Sequence, residues 1–397
     1  MGINKFESVI CPAPWLHHCV NTNGKNRLCC NSQTSKTAFN EDFDTYWNGP
    51  EVRDVRAAMR KGERHSRCKE CWDKEDLGIS SLRQGMIGRL QLEDRWEDFL
   101  SIIDTDPETP IEIDLKLGNY CNLACRMCSS YSSSQVQNEM QRIYRDTGQD
   151  IGEDDYEIKF RQHKWYNSDV FIDRIKHFSD NGLRFLKFTG GEPFMVPAVR
   201  KIIDYYIERG LASETVLSFI TNGTLVTQEW LDMFDQFKFV SINISVDGVG
   251  DVYEYIRHPG KWDDFDSKLN MIAAHSASRR DMFVNLVFTL QIYNMLSIKD
   301  MVKLADSHKL SIEMIPLNKP EYIDVCHAPA QLKQQAQDLI AQIQTTVNLK
   351  FVESASKKID QIGDPESVRN RFLEITALKD QYKNQDGREM EFWKYYE

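Results

Sequence analysis

Residues 111–128, IEIDLKLGNYCNLACRMC, join a strand-like run to a loop that carries three cysteines. Apolar residues alternate with polar ones over Ile111–Leu117, which is typical of a β-strand. Cys121, Cys125 and Cys128 then follow with the spacing C-x3-C-x2-C. Thiolates on so short a loop can converge on one metal centre, and three of them leave a position free for another ligand. The stretch therefore predicts a strand whose C-terminal loop holds a metal cluster with an open site.

Strand-like runs alternate with amphipathic helical stretches from this point onward. Strands are predicted at Ile111–Leu117, Phe185–Thr189, Val216–Thr221, Phe239–Val246, Phe283–Ile292 and Ser311–Ile315. Helices are predicted between and after them, at about 130–145, 168–181, 196–209, 227–235, 262–277 and 297–308. Six strand–helix repeats predict an α/β fold with a parallel sheet. They are fewer than the eight of a closed TIM barrel, so a partial (β/α)6 TIM-like barrel is expected.

The segments that flank this array differ in composition. The predicted domains are a cysteine-rich N-terminal module at 1–78, a linker at 79–110, the partial barrel at 111–317 and a helical C-terminal extension at 318–397. The first segment is rich in turns, and one helix is predicted in it, from Pro50 to Lys61.

Composition excludes several classes of protein. The chain has 397 residues, and its 49 basic and 60 acidic side chains give a net charge of 49 − 60 = −11. An acidic chain is a poor nonspecific binder of nucleic acid, because such binding neutralises phosphates. No window approaches 18 consecutive apolar residues, so no membrane span is expected.

Ten cysteines are present, and nine of them lie between Cys11 and Cys128. The N-terminal residues MGINKF have no apolar secretory core, which predicts a cytoplasmic protein. Closely spaced cysteines in a reducing compartment hold metal or perform redox chemistry more often than they form disulfides. The sequence therefore predicts metal ligation.

The words CNLACRMC at 121–128 and GGEP at 190–193 together resemble the radical S-adenosylmethionine (radical SAM) superfamily, over residues 111 to about 317. The resemblance implies that Cys121, Cys125 and Cys128 hold a 4Fe-4S cluster whose fourth iron binds S-adenosylmethionine. It also implies reductive cleavage to a 5′-deoxyadenosyl radical, which abstracts hydrogen from a substrate. A zinc knuckle that borrows a fourth ligand is the alternative for the same three thiols.

The resemblance also implies residues that bind S-adenosylmethionine, at the ends of successive strands. Glycines and a carboxylate suit its amino group, a hydroxyl and a carboxylate suit its ribose, and a guanidinium suits its carboxylate. The predicted residues, in that order, are Gly190, Gly191 and Glu192, then Ser245 and Asp247, then Arg257, with Asn222 as a further candidate. Met127 stands where the family usually has an aromatic residue, and its thioether is expected to pack against adenine.

Cysteines of the N-terminal module form a second set. Cys11, Cys29, Cys68 and Cys71 have spacings similar to those of the twitch module, a shortened relative of the SPASM domain. The resemblance implies an auxiliary 4Fe-4S cluster and hence two clusters in the chain. Two alternatives stay open: a zinc ion on the same four thiols, and Cys30 as the ligand in place of Cys29.

The function expected from the resemblance is a radical SAM enzyme that modifies a peptide or protein. The alternative within enzymes is a small metabolite, sugar or nucleoside as substrate. The alternative of another class is a non-catalytic iron–sulfur or zinc protein that acts as a sensor or scaffold. An electron donor such as flavodoxin or ferredoxin is the implied partner, and the sequence identifies no hydrogen-atom donor or general base.

Overall fold

The computed structural model describes residues 9–76, 80–151, 164–317 and 319–396. Its strands are β1 (His17–Val20), β2 (Asn26–Arg27), β3 (Glu112–Lys116), β4 (Phe185–Thr189), β5 (Val216–Thr221), β6 (Phe239–Ser245), β7 (Met282–Leu290) and β8 (Ser311–Pro316). Hydrogen-bonded neighbours follow the order β2-β1-β3-β4-β5-β6-β7-β8. The pairs β3/β4, β6/β7 and β7/β8 are parallel, whereas β1/β2 is antiparallel.

The α-helices are Ala13–Leu16, Phe39–Trp47, Pro50–Arg60, Lys69–Asp76, Leu82–Leu92, Trp96–Ser101, Ser134–Thr147, Asp169–Asp180, Pro197–Glu208, Gln228–Phe234, Asp251–Ile256, Trp262–Ala277, Ile298–His308, Ala330–Ile340, Leu349–Ile359 and Pro365–Lys383. The last of these, Pro365–Lys383, is called the C-terminal helix below. Among the described residues, no helix combines the length and the apolar character that crossing a bilayer requires.

The predicted fold class is confirmed, since strands β3–β8 coincide with the six predicted runs and alternate with helices. Strand β3 illustrates why: Ile113 and Leu115 are fully buried. Two of its alternate residues are charged and paired: Asp114 lies 3.1 Å from Lys187, and Glu112 pairs with Arg89. Apolar side chains on one face and paired charges on the other satisfy both faces of a buried strand.

Strand β1 was not predicted. It pairs in parallel with β3, with Cys19 opposite Asp114. Four residues that begin with two histidines carry no strand signal of their own. The pairing therefore depends on the neighbouring strand rather than on local propensity.

The segment predicted as a linker contains two helices, Leu82–Leu92 and Trp96–Ser101. The first begins with a capping box, in which Ser81 and Gln84 each accept from the other's backbone N–H. Such reciprocal bonds satisfy amides that a helix end leaves free. The domain boundaries given above stay a prediction.

The chain divides into two compact units. The first unit is Met1–Gly118, Gln162–Gly190 and Val196–Ser218, and the second is Asn119–Arg161, Gly191–Met195 and Phe219–Glu397. A core of the first unit packs Trp15, Tyr46, Val55 and Trp72 together.

Acidification should destabilise the first unit through His18, which lies against Phe39, Phe43, Tyr46 and Trp47. Burial lowers the pKa of His18 to about 3, whereas an unfolded histidine titrates near 6.5. The unfolded state therefore binds a proton at a higher pH than the folded state does. The free energy of unfolding keeps its full value above the pKa of the unfolded state and falls as the pH drops toward the pKa of the folded state. Between these two pKa values, His18 should lower the free energy of unfolding by about 1.4 kcal/mol for each unit by which the pH falls. The urea midpoint measured at intervals between pH 7 and pH 5 is the check.

The matched control is His18→Phe, which keeps a ring beside Phe39 and removes the titrating group. Its urea midpoint should change less over the same pH range than that of the wild type. Equal slopes for the two proteins would show that His18 does not cause the loss.

Candidate functional site

The three predicted cluster cysteines lie on one buried loop of the second unit. Cys121 and Cys125 are 8% and 9% exposed, and Leu123, Met127 and Cys128 pack with them. The thiols influence one another: burial and Cys125 raise the pKa of Cys121 to about 12. Burial, Cys125 and Cys121 likewise raise the pKa of Cys128. Iron binds thiolates, so loading this loop must release the protons that burial retains.

Backbone and side-chain hydrogen bonds fix the path of this loop. Ala124 N donates to His258 O at 2.7 Å, and Arg126 N donates to Ile256 O at 2.9 Å. At its other side, Ser133 Oγ donates to Leu123 O at 2.6 Å. The loop thus holds its thiols in a defined arrangement without regular secondary structure.

The loop after β5 bonds to the cysteine loop through amides. Asn222 Nδ2 donates to Asn122 Oδ1 at 2.8 Å and lies 4.0 Å from Cys121 Sγ. Asn122 Nδ2 in turn donates to Thr224 Oγ1 at 2.9 Å. Asn222, a predicted cofactor residue, is therefore placed beside a predicted cluster ligand, whereas Asn122 and Thr224 were not singled out.

Glu192 is fully buried and is engaged by the protein itself. Its Oε1 accepts from Thr221 Oγ1 at 2.8 Å and from Phe194 N at 3.1 Å. Its Oε2 accepts from Asn222 N at 2.8 Å. Burial raises the pKa of Glu192 to about 7, although these hydrogen bonds favour the charged form. Glu192 thus connects its own loop to the loop after β5, and its Oε2 accepts one hydrogen bond from the residues that the structure describes.

Gly190 and Gly191 each lie where another segment of backbone passes close by. Gly190 has φ +121°, and a Cβ there would lie 2.7 Å from Gly118 O. A Cβ on Gly191 would lie 2.6 Å from the carbonyl carbon of Tyr120. Only glycine avoids both the strained dihedral and these clashes, which explains why the motif needs the two residues.

Arg257 and Asp247 form a buried ion pair, with Nη2 2.6 Å from Oδ2. Arg257 Nη1 also lies 3.9 Å from Cys125 Sγ, while Nε, buried, has no hydrogen-bond partner among the described residues. Burial opposes the charge of Arg257, but Asp247 and Cys125 raise its pKa above the usual value. Asp247 Oδ1 accepts from Thr289 N at 2.7 Å. The pair therefore adjoins the cysteine loop, with a guanidinium donor still available.

Two further features bear on whether S-adenosylmethionine fits. Ser245, the predicted ribose contact, is the last residue of β6 and is half-buried. Gln291 is fully buried, and its Oε1 has no partner among the described residues. Unpartnered buried polar atoms are costly unless a ligand satisfies them. Three thiols, a guanidinium with a free donor and this free amide oxygen fit a cluster and a zwitterionic cofactor.

The first unit contains the second set of cysteines. Cys11, Cys29, Cys68 and Cys71 line one pocket. Burial and the neighbouring thiols raise the pKa of Cys11, and burial with Cys71 raises that of Cys68 to about 12. The four predicted ligands, separated by up to 60 positions from Cys11 to Cys71, are thus brought together.

The pocket distinguishes between the adjacent cysteines. Among the described residues that line it, Cys29 is present and Cys30 is not. Cys30 instead interacts electrostatically with Lys187 and Asp114 of strands β4 and β3. The two residues lie in a turn just after β2, where Ser32 N donates to Cys29 O at 3.1 Å, and their side chains have different surroundings. The geometry favours Cys29 as the ligand.

Sequence reasoning missed a cation beside this pocket. Arg83 lines it, is 6% exposed and pairs with Glu75 at 2.6 Å. No local motif surrounds Arg83, so nothing in the sequence connects it with the cysteines.

Within the described parts of the chain, no group of three or more His, Cys, Asp or Glu side chains is close enough to hold a single metal ion.

Comparisons with known proteins agree with the predicted family. Residues 115–305 match the family model of the Radical SAM superfamily, which confirms that prediction. The chain is 24% identical over 197 residues to the antilisterial bacteriocin subtilosin biosynthesis protein AlbA of Bacillus subtilis, covering 49% of this chain and 36% of AlbA. It is 29% identical over 168 residues to the mycofactocin maturase MftC of Mycobacterium tuberculosis, covering 42% of this chain and 35% of MftC.

Among solved structures, Streptococcus suis SuiB bound to its precursor peptide SuiA matches with 14% identity and a TM-score of 0.35. That match covers 83% of this chain and 70% of SuiB. The matched region spans only about a third of AlbA and of MftC.

Proposed function

We propose, from the membership of residues 115–305 in the radical SAM superfamily, that this chain is a radical SAM enzyme which modifies a peptide or protein. The observation that carries the proposal is the buried loop of Cys121, Cys125 and Cys128, beside an arginine that keeps a free donor. Bound there, a 4Fe-4S cluster and S-adenosylmethionine supply a 5′-deoxyadenosyl radical that abstracts hydrogen.

The three thiolates would hold the cluster, and the iron without a protein ligand would be left to the cofactor. Cys121 and Cys125 are 8% and 9% exposed, and Cys128 is half-buried. Burial keeps water and oxygen from the iron, and the short loop brings all three ligands to one centre.

Buried polar side chains around the loop orient the cofactor. Arg257, whose Nε is free, is suited to the methionine carboxylate, because a guanidinium matches a carboxylate in shape and charge. Asp247 neutralises that arginine before the cofactor binds and, with Ser245, supplies acceptors and a hydroxyl for the ribose. Glu192 fixes the Asn222 loop and offers its remaining lone pair to the methionine ammonium.

The second proposed cluster belongs to the N-terminal module at 1–78. Four thiols around one pocket suit a closed 4Fe-4S site of the twitch type, with Cys29 rather than Cys30 as a ligand. Arg83 adds a positive charge at its wall. Four thiolates are also a donor type that zinc accepts, so iron and zinc analysis distinguishes the two metals.

A peptide or protein substrate is favoured by the relatives. AlbA is named for the biosynthesis of a bacteriocin and MftC for maturation. We further propose that a flavodoxin or ferredoxin supplies electrons and that the enzyme is cytoplasmic, since its thiols must stay reduced.

The test uses anaerobically reconstituted full-length protein with S-adenosylmethionine, dithionite and candidate precursor peptides from neighbouring genes. We expect 5′-deoxyadenosine in every reduced sample and a mass change in one peptide. With a deuterated peptide, deuterium should appear in 5′-deoxyadenosine. A protein with a full cluster that makes no 5′-deoxyadenosine would support the sensor or scaffold alternative instead. Deuterium transfer from a sugar or nucleoside, with none from peptides, would support the small-molecule alternative.

A further inference from the structure

We infer that the C-terminal helix, Pro365–Lys383, positions the three-cysteine loop and supplies buried positive charge that stabilises its reduced cluster. Two lysines one helical turn apart, Lys379 and Lys383, carry this role. The inference rests on the proposed function in one respect only, that the three thiols bind an iron–sulfur cluster.

Both lysines donate to backbone carbonyls of the cysteine loop. Lys379 Nζ donates to Arg126 O at 2.9 Å, and Lys383 Nζ donates to Ala124 O at 2.8 Å. Ala124 and Arg126 are the residues immediately before and after Cys125. Side chains four apart lie on one face of a helix, so a single face of the C-terminal helix brackets the middle ligand.

The two ammonium groups are buried, which is unusual for lysine. Lys379 is 5% exposed and Lys383 is 4% exposed. Burying a charge is costly unless partners compensate for it. Lys383 has an ion pair with Glu139. Lys379 has no ion pair with a carboxylate in the described parts of the chain, and its charge faces the loop that bears the thiols.

The C-terminal helix and the residues just after it also contact the cysteine loop through the side chain of Arg126. This guanidinium is fully buried, 3.6 Å from the ring centroid of Tyr255, and it pairs with Asp380. It also donates to Gln385 Oε1 at 2.9 Å and to Tyr255 O at 2.8 Å. Asp380 and Gln385 belong to the C-terminal helix and the residues just after it. The loop is therefore held by its backbone and by its one arginine together.

Buried cations at this place should change the redox equilibrium of the cluster. The reduced cluster carries one more negative charge than the oxidised cluster. Attraction between that charge and a cation is strong where water is excluded, because the local dielectric constant is low. Net charge, hydrogen bonding and exposure set the potentials of iron–sulfur clusters. Lys379, which pairs with no carboxylate among the residues that the structure describes, should therefore favour reduction.

The experiment is a redox titration, followed by electron paramagnetic resonance, of the full chain carrying Lys379→Met. The signal to follow is the one that remains when Cys68→Ala/Cys71→Ala is added to both proteins, because those two cysteines line the other pocket and their removal separates this cluster from the auxiliary one. We expect the equilibrium constant for reduction to fall about tenfold, a shift of about 59 mV to lower potential for one electron. Lys379→Arg should keep the potential close to that of the wild type, because arginine supplies both the charge and the hydrogen-bond donor.

Lys394→Met is the matched control, since that lysine side chain is 69% exposed and pairs with Glu391. It should leave the potential unchanged. If Lys379→Met fails to retain iron, then Lys379→Gln, which keeps an amide donor without the charge, takes its place with the same expected shift. An unchanged potential in a fully loaded Lys379 variant would overturn the inference.

The two proposals can fail separately. A wild-type protein that binds the cluster but makes no 5′-deoxyadenosine contradicts the proposed function and leaves the titration valid. A normal yield of 5′-deoxyadenosine together with an unshifted Lys379→Met potential contradicts only the role of the C-terminal helix.

Discussion

Cys125→Ala should abolish formation of 5′-deoxyadenosine by the anaerobically reconstituted protein. Cys125 is the middle ligand, 9% exposed, and its sulfur lies 3.9 Å from Arg257 Nη1. Two remaining thiols cannot hold a cluster that needs three protein ligands. Altering a group that only supports a ligand typically costs 10- to 100-fold, so loss of the ligand itself should exceed about 100-fold. Chromatographic measurement of 5′-deoxyadenosine after reduction is the check.

The control is Cys326→Ala, a thiol of the same unit that lies outside the cysteine loop and is half-buried near Asp324. It should retain wild-type yield and iron content. Wild-type yield from Cys125→Ala would refute the assignment of the cluster to this loop.

Cys68→Ala/Cys71→Ala should remove the auxiliary cluster and leave the first one in place. Two clusters of four irons give about eight irons per chain, so the double variant should retain about four. The two residues line the pocket with Cys11 and Cys29, all in the first unit. Removing two of four ligands from a closed site should empty it. Iron and zinc analysis, with 5′-deoxyadenosine yield beside it, measures the outcome.

The neighbouring thiols supply matched controls for this experiment. Cys30→Ala should keep about eight irons, whereas Cys29→Ala should lose the auxiliary cluster. If the wild-type protein contains about four irons and one zinc, the four cysteines of the first unit hold a structural zinc ion and not an auxiliary cluster. Loss of iron in Cys30→Ala but not in Cys29→Ala would reverse the choice of ligand.

Local patterns were sufficient to predict much of the architecture. All six strands of the βα array lie within one or two residues of the predicted runs, because alternation and helical periodicity are properties of neighbouring residues. The helix predicted from Pro50 ends at Arg60. The short strand β1 and the helices of residues 82–101 were not predicted, since their burial depends on partners distant in the chain.

The candidate sites divide in the same way. The spacing of Cys121, Cys125 and Cys128 identifies a loop with three ligands, and the structure brings those thiols into one buried cluster. Glu192 was expected to face the cofactor, but the structure also gives it three hydrogen bonds within the protein. Arg257 and Asp247, expected to serve different parts of the cofactor, pair with each other. A motif names the residue types and leaves their mutual contacts undetermined.

The sequence by itself determined the resemblance to the radical SAM superfamily, the six strands of the βα array and the three candidate ligands of the open cluster, because each depends on residues close together in the chain. Only the tertiary structure placed Cys29 rather than Cys30 at the pocket of the first unit, and only it showed Lys379 bonded to Arg126, 253 positions away. Contacts over such distances depend on how packed elements meet in space, and no local periodicity records them. For the cysteine loop, sequence specifies the ligands and packing specifies their electrostatic surroundings.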